Sequence, residues 1–171
     1  MAAGVALPFL FDREVTAPPP AAGGTSPAAG ANGAAATGGS LPGKRGFIVL
    51  DVEEWVGKSI EETPLAQAIE GGIGNLPFDG PWIIWRMTCD HCAKHLEHLA
   101  QNPPDAPFIT LVRLKERQDT EANRRVFVLP EGDHVVQASC PDTVDYLLTT
   151  PAELWLEGGV IKRAAEGVEV E

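Results

Sequence analysis

Residues 82–92 read Trp82-Ile83-Ile84-Trp85-Arg86-Met87-Thr88-Cys89-Asp90-His91-Cys92. The run from Trp82 to Trp85 is apolar on both faces, which is typical of a central strand that is covered on two sides. Two cysteines follow after a short turn, where the pattern predicts that a helix begins. A helix N-terminus offers unpaired N–H groups and a partial positive charge, and both favour a thiolate. The sequence therefore predicts a redox-active dithiol in which the nucleophile is Cys89 and the resolving partner is Cys92.

Length and charge limit the classes of function. The chain has 171 residues, a formal net charge of −11 and a sequence pI of about 4.7. The length suits one domain with a tail. The acidity argues against DNA or any other nucleic acid as a partner, because such binding requires a basic face. The chain's 3 cysteines are too few for a disulfide-stapled scaffold, and they do not fix the redox compartment.

The first 43 residues differ in composition from the rest. Residues 13–43 are dominated by Ala, Gly, Pro, Ser and Thr, which cannot bury enough surface to offset their ordering entropy. We predict a disordered tether over residues 1–43 and a folded domain over residues 44–171. The apolar start, Met1 to Phe11, is interpreted either as a weak signal or anchor remnant or as a plain disordered end. A tether suggests attachment to a membrane or a larger assembly. It favours an extracytoplasmic or membrane-associated location, although the compartment stays open.

Strand and helix patterns alternate along the predicted domain. Helices are expected over residues 64–70 and 90–101, the first because Thr63-Pro64 supplies a capping hydroxyl and a proline at the first helical position. In the second helix, Cys92, Leu96 and Leu99 are spaced to form a core-facing stripe. Strands are expected over residues 47–50, 81–85, 108–114, 125–129, 134–138, 152–156 and 160–162. The last four strands form two hairpins, one inserted around residues 125–138 and one that turns at Gly158-Gly159.

The order of strand, Cys-x-x-Cys, helix and strand, then Thr150-Pro151 leading into a hairpin with a glycine turn, resembles the thioredoxin-like fold family. The resemblance covers roughly residues 47–162. It implies a three-layer α/β sandwich with a central mixed sheet, helices on both faces and the extra hairpin inserted before the cis-proline strand. The chain departs from the reductive members, which carry tryptophan where this chain has Thr88. It also departs at residues 163–171, which are too short for the family's final helix.

The resemblance implies an activity and roles for individual residues. In the family a cis-proline lies opposite the dithiol and helps to bind the substrate chain, so Thr150 and Pro151 are expected to align the substrate backbone. The implied reaction is thiol–disulfide exchange with a protein substrate, in which Cys89 attacks and Cys92 resolves. No organic cofactor is needed, because the dithiol itself carries two electrons. We expect the domain to act as a monomer.

Asp90 and His91 lie between the two cysteines. Disulfide-forming members of the family carry a histidine at that place, which implies that His91 stabilises the thiolate and tunes its pKa. Asp90 acts in the opposite sense, because a carboxylate beside Cys89 disfavours a second negative charge. These opposed effects leave the direction of electron flow open.

Other interpretations of the motif stay open. Cys89, Cys92, His95 and His98 are ligand types that zinc accepts, although one helix spreads them over nearly three turns. A non-catalytic thioredoxin-like binding module, with a structural or metal-holding dithiol, is therefore the alternative function. The stripe of His91, His95 and His98 is expected to be a solvated helix face. Cys140 is interpreted as a lone packed thiol rather than a third redox thiol, and Trp55 and Trp155 are expected to pack in the core.

Overall fold

A computed structural model describes residues 46–169, so the predicted tether lies outside the described residues. Nine regular elements follow one another: β1 (Phe47–Val49), α1 (Pro64–Ala68), β2 (Gly80–Trp85), α2 (Asp90–Gln101), β3 (Ile109–Leu114), β4 (Val135–Cys140), β5 (Asp145–Leu147), β6 (Ala152–Glu157) and β7 (Val160–Glu166). Two short 3₁₀ helices, Val52–Trp55 and Ile60–Glu62, lie between β1 and α1. Among the described helices, none is both long enough and apolar enough to cross a bilayer.

The strands form a five-stranded mixed sheet and a small two-stranded one. The large sheet has the order β4-β3-β2-β6-β7. Strands β2, β3 and β4 run parallel, whereas β6 and β7 are antiparallel to their neighbours. Strands β1 and β5 pair in parallel as the small sheet. The predicted α/β class with a central mixed sheet is therefore confirmed.

Strand β2 is buried along its whole length at the centre of the large sheet. Because side chains alternate along a strand, Trp82 and Ile84 enter one hydrophobic cluster and Ile83 and Trp85 enter the other. The two-sided burial expected from the unbroken apolar run is confirmed.

Each face of the large sheet packs against a different set of elements. Helix α2 covers one face, where its buried side chains Cys92, Leu96 and Leu99 pack with Ile109 and Leu111 of β3. The other face carries the larger cluster, to which α1, both 3₁₀ helices and the β1–β5 pair contribute buried side chains. Helical segments therefore lie on both faces, although only α2 is long.

Helix α1 begins at the predicted cap and ends early. The Oγ1 of Thr63 accepts a hydrogen bond from the N–H of Ala66 at 3.3 Å, which satisfies one of the free donors of the first turn. The expected end at Glu70 is wrong, because the helix stops at Ala68. Ile69 is extended and buried, and the N–H of Glu70 then donates to Ser139 O at 2.9 Å on β4.

The hairpin predicted around residues 125–138 is wrong. Residues 125–129 form no strand, and β4 runs parallel to β3 instead of turning back on a partner. The apolar side chains of this segment pack on the core instead. The ring centroids of Phe127 and Trp85 are 4.9 Å apart. Leu129 joins the same cluster on the α2 side of the sheet. The alternation therefore reflects one side packed on the core, without the backbone pairing of a strand.

The chain ends in the predicted second hairpin. Strands β6 and β7 are joined through Gly158 and Gly159, whose φ angles are +55° and +80°, a region that glycine adopts without strain. Strand β7 continues to Glu166, four residues further than expected. Strand β7 therefore includes residues 163–166, for which the sequence predicts no strand.

Candidate active site

The first cysteine of the motif caps helix α2. Cys89 has extended backbone angles, and its Sγ accepts a hydrogen bond from the N–H of Cys92 at 3.0 Å. Strand β2 ends four residues earlier, so the turn from Arg86 to Cys89 carries the chain from the sheet onto the helix. The sulfur of Cys89 thus lies among the free N–H groups of the first helical turn, which favour its thiolate form.

Cys89 and Cys92 form a disulfide, and their Cα atoms are 5.2 Å apart. Their exposure differs: Cys92 is 0% exposed, whereas Cys89 is partly exposed. Of the two cysteines, only Cys89 is therefore partly open to an approaching molecule.

Thr150 and Pro151 lie directly against the dithiol. The peptide bond between them is cis, which is the geometry that the resemblance implied. The Sγ of Cys89 lies 3.4 Å from the carbonyl oxygen of Thr150, although the two residues are 61 positions apart in sequence. The reason is sheet pairing, since Ala152 opens β6 opposite Ile84 of β2.

The carboxylate beside Cys89 has a partner that the sequence did not indicate. The Nε of Arg125 donates to Oδ1 of Asp90 at the start of α2. The backbone N–H of Arg125 also donates to Met87 O at 3.0 Å, in the turn before the dithiol. The negative charge next to Cys89 is therefore partly offset by a guanidinium. No local pattern marks Arg125, because it lies 35 residues away in a segment that was predicted to be a strand.

A second group fixes the turn before Cys89. The Oγ1 of Thr88 donates to Glu116 Oε2 at 2.6 Å. Arg86 pairs with the same carboxylate, with Nε 3.6 Å from Oε1, and its Nη2 donates to Tyr146 O at 2.6 Å. The turn is thus tied to the segment after β3 and to β5, neither of which could be inferred from the Cys-x-x-Cys spacing.

The three histidines of α2 do not share one environment, and the expected solvated stripe is wrong at its centre. His91 and His98 are exposed, but His95 is only 3% exposed. Its Nε2 lies 2.9 Å from Oε1 of Glu153 on β6. The helix buries the face formed by Cys92, His95, Leu96 and Leu99. His95 is three residues after Cys92, a spacing that already indicated this face.

The structure gives no support to a metal centre in the described part of the chain. Within residues 46–169, no group of three or more His, Cys, Asp or Glu side chains is arranged to hold a metal ion. Of the four alternative ligands, Cys89 and Cys92 are bonded to each other, and His95 contacts Glu153.

Cys140 lies on the far side of the sheet from the dithiol. It is completely buried in the cluster opposite α2. Desolvation there raises the pKa of its thiol from 9.0 to about 12, with a smaller contribution from the Glu70 carboxylate. Such a thiol is packed and unreactive, in line with its interpretation as a lone packed side chain.

The two tryptophans expected in the core have different environments. Trp55 is buried in the cluster opposite α2. Trp155 is only partly buried, and the guanidinium carbon of Arg163 lies 4.7 Å from its ring centroid. The expectation of core packing is therefore confirmed for Trp55 and wrong for Trp155, which contacts a cation on the neighbouring strand.

Comparison of the chain with protein-family models, with curated proteins and with solved structures gave no match. Function is therefore inferred from the geometry of the site.

Proposed function

We propose that this domain carries out thiol–disulfide exchange with protein substrates and belongs to the thioredoxin-like class. One observation carries the proposal: a partly exposed Cys89 caps α2 with Cys92 buried behind it, and its sulfur lies 3.4 Å from Thr150 O. Exchange requires an accessible attacking thiolate, a nearby second thiol and a surface that holds the substrate chain. The partly exposed Cys89, the buried Cys92 and the Thr150 carbonyl beside Cys89 support this proposal.

The topology supports the same class. In the chain, α2 connects the parallel strands β2 and β3. The β6–β7 hairpin starts directly after the Thr150–Pro151 bond, and its first strand pairs antiparallel with β2. This is the order of elements that suggested the thioredoxin-like family. The departure lies between β3 and β6, where this chain places the parallel edge strand β4 and the short strand β5.

The reaction that fits this geometry has two exchange steps. The Cys89 thiolate attacks one sulfur of a substrate disulfide; a bond forms between Cys89 and the substrate, and the second substrate sulfur leaves as a thiolate. Cys92 then loses its proton and attacks the Cys89 sulfur, which releases the first substrate sulfur and closes the Cys89–Cys92 disulfide. The same steps in reverse oxidise a substrate dithiol.

Charges around Cys89 set how readily it forms a thiolate. The helix N-terminus and the exposed His91 favour the negative sulfur, and Asp90 opposes it. Arg125 offsets Asp90 through their ion pair. We assign His91, Asp90 and Arg125 to tuning, and Thr150 and Pro151 to alignment of the substrate backbone.

Trapping of the mixed disulfide tests the proposal. In the full chain, Cys92→Ser is combined with Cys140→Ala so that Cys89 is the only thiol. The variant is incubated with a fluorescent peptide that carries one glutathione mixed disulfide. We expect a stable covalent adduct between peptide and protein that is released by dithiothreitol.

The matched control retains Cys92 instead, through Cys89→Ser with Cys140→Ala. Because Cys92 is buried, this control should form the adduct at least about ten-fold more slowly, in proportion to its lower access. Equal trapping by the two variants, or none by either, would refute the exchange mechanism. The alternative of a non-catalytic binding module would then be preferred.

A further inference from the structure

His95 is a buried ionisable side chain that the exchange mechanism has not yet used. It is 3% exposed on the inner face of α2. Neither ring nitrogen has a hydrogen bond of good geometry to any of the described residues, although Nε2 lies 2.9 Å from Glu153 Oε1. Burial of a polar ring that lacks a well-formed hydrogen bond is unfavourable. A residue so placed calls for an explanation beyond packing.

The position of His95 relative to the resolving cysteine suggests that explanation. Cys92 and His95 are three residues apart on one helix, so they lie on the same face with Cβ atoms about 5–6 Å apart. Cys92 is 0% exposed, so bulk water has poor access to the proton that its thiol must lose before it attacks. A proton acceptor inside the protein is required for a fast second step.

We propose that His95, with Glu153 as its partner, accepts the proton of the Cys92 thiol when the mixed disulfide is resolved and returns it in the reverse reaction. The proposal rests on the proposed exchange function and names the group that controls its second step. The Cys92 S–H bond breaks and the Cys89–Cys92 bond forms. The bond between Cys89 and the substrate breaks, and the substrate sulfur leaves as a thiolate.

Glu153 completes the route to solvent. Its side chain is 34% exposed, and it lies on β6 two residues after Pro151, opposite Ile83 of β2. The carboxylate lies 2.9 Å from Nε2 of His95, so it can take the proton onward and pass it to water. Of the other charged groups near this face, Arg163 of β7 is held over Trp155. His91, Lys94 and Glu169 line a pocket of about 160 Å³ next to the helix.

Single-turnover kinetics with the aromatic disulfide reagent DTNB separate the two steps. The reduced full chain should release one coloured thiolate as Cys89 attacks, at a rate proportional to reagent concentration. A second should follow as Cys92 resolves the adduct, at a rate independent of that concentration. We expect His95→Gln and Glu153→Gln to slow the second phase at pH 7 by about 10- to 100-fold, at or below the low end of the ~10²–10⁴-fold that general acid–base catalysis typically contributes. The first phase should stay within about two-fold.

Matched controls come from the same elements. His98→Gln changes an exposed histidine on α2, and Glu157→Gln changes an exposed carboxylate on β6. Each of these two control variants should show the wild-type rate in the first phase and in the second phase. The deficit of His95→Gln should shrink as the pH rises, because hydroxide then removes the Cys92 proton, whereas a purely structural defect would persist at every pH. Glu153→Asp should recover part of the second-phase rate.

The outcomes separate this inference from the proposed function. A wild-type chain that releases no thiolate, or only one, would refute exchange itself. A wild-type chain with two phases, together with unchanged second phases in His95→Gln and Glu153→Gln, would overturn only the proton-acceptor role. An equal slowing of both phases would also overturn it, since the loss would then reflect general distortion of α2.

Discussion

The substitution Gly80→Ala tests the packing of the central strand that leads to the dithiol. Gly80 opens β2 with a φ of +101°, and a Cβ atom built there would lie 2.2 Å from the backbone oxygen of Phe108. An ordinary contact would be at least 3.4 Å. Because the obstacle is main chain and not a flexible side chain, either β2 or the start of β3 has to move.

The expected cost combines two effects. An alanine at positive φ costs about 1–2 kcal/mol, and overpacking against a fixed atom adds about 1–3 kcal/mol. We therefore expect Gly80→Ala to lower the free energy of unfolding by about 2–5 kcal/mol, the sum of these two ranges. Gly158→Ala is the matched control, because Gly158 has a φ of +55° but a Cβ there would meet nothing within 4 Å. It should cost only about 1–2 kcal/mol, the cost of positive φ alone.

Urea denaturation of the oxidised full chain, followed by far-ultraviolet circular dichroism, measures both changes. The difference between the two variants isolates the contact with Phe108. If Gly80→Ala cost no more than Gly158→Ala, the close approach of β2 to the start of β3 would be refuted. The placement of the turn that carries Cys89 would then lose its support.

Three further predictions concern other parts of the site and the core. Thr63→Ala should lower the free energy of unfolding by about 1–2 kcal/mol in urea denaturation. Thr63→Ser should largely retain the wild-type stability, because the cap of α1 needs only the hydroxyl. Equal losses in the two variants would contradict the cap. Burial raises the pKa of the Cys140 thiol to about 12, so the folded state favours the neutral thiol and stability is lost as pH rises from about 9 toward 12. Cys140→Ala should shift the midpoint of alkaline unfolding upward, and an unchanged midpoint would count against this burial. Arg125→Gln should slow the reaction of Cys89 with DTNB about two- to three-fold at low salt. At 1 M salt the variant should react at the wild-type rate, because the exposed Asp90 charge is then screened. A salt-independent effect would exclude this explanation.

Local patterns were sufficient to predict the parts of the site that are continuous in sequence. The unbroken apolar run of β2 and the stripe of Cys92, Leu96 and Leu99 predicted the strand and the start of α2. The Thr150-Pro151 hairpin was also predictable, because a proline before an apolar strand and a glycine turn are local signals.

The parts of the site that depend on distant segments could not be predicted. Arg125 reaches Asp90 from a segment whose alternation imitates a strand, and Glu116 reaches Thr88 from the segment directly after β3. Strand β5 has only three residues, and its partner β1 is nearly one hundred positions away, so no local signal marks it. The spacing of His95 from His91 and His98 predicts a solvated position, whereas its spacing from Cys92 predicts the buried face on which it lies.

The central claim is that Cys89 and Cys92 act together as a two-electron couple. The most direct measurement is equilibration of the full chain in glutathione buffers of graded redox ratio, followed by acid quench, alkylation and mass spectrometry. We expect a single transition in which Cys89 and Cys92 gain or lose alkylation together, and its dependence on the redox ratio should fit a two-electron couple. The buried Cys140 should stay a thiol throughout. Accumulation of glutathione adducts without closure of the pair, or oxidation that involves Cys140, would contradict it.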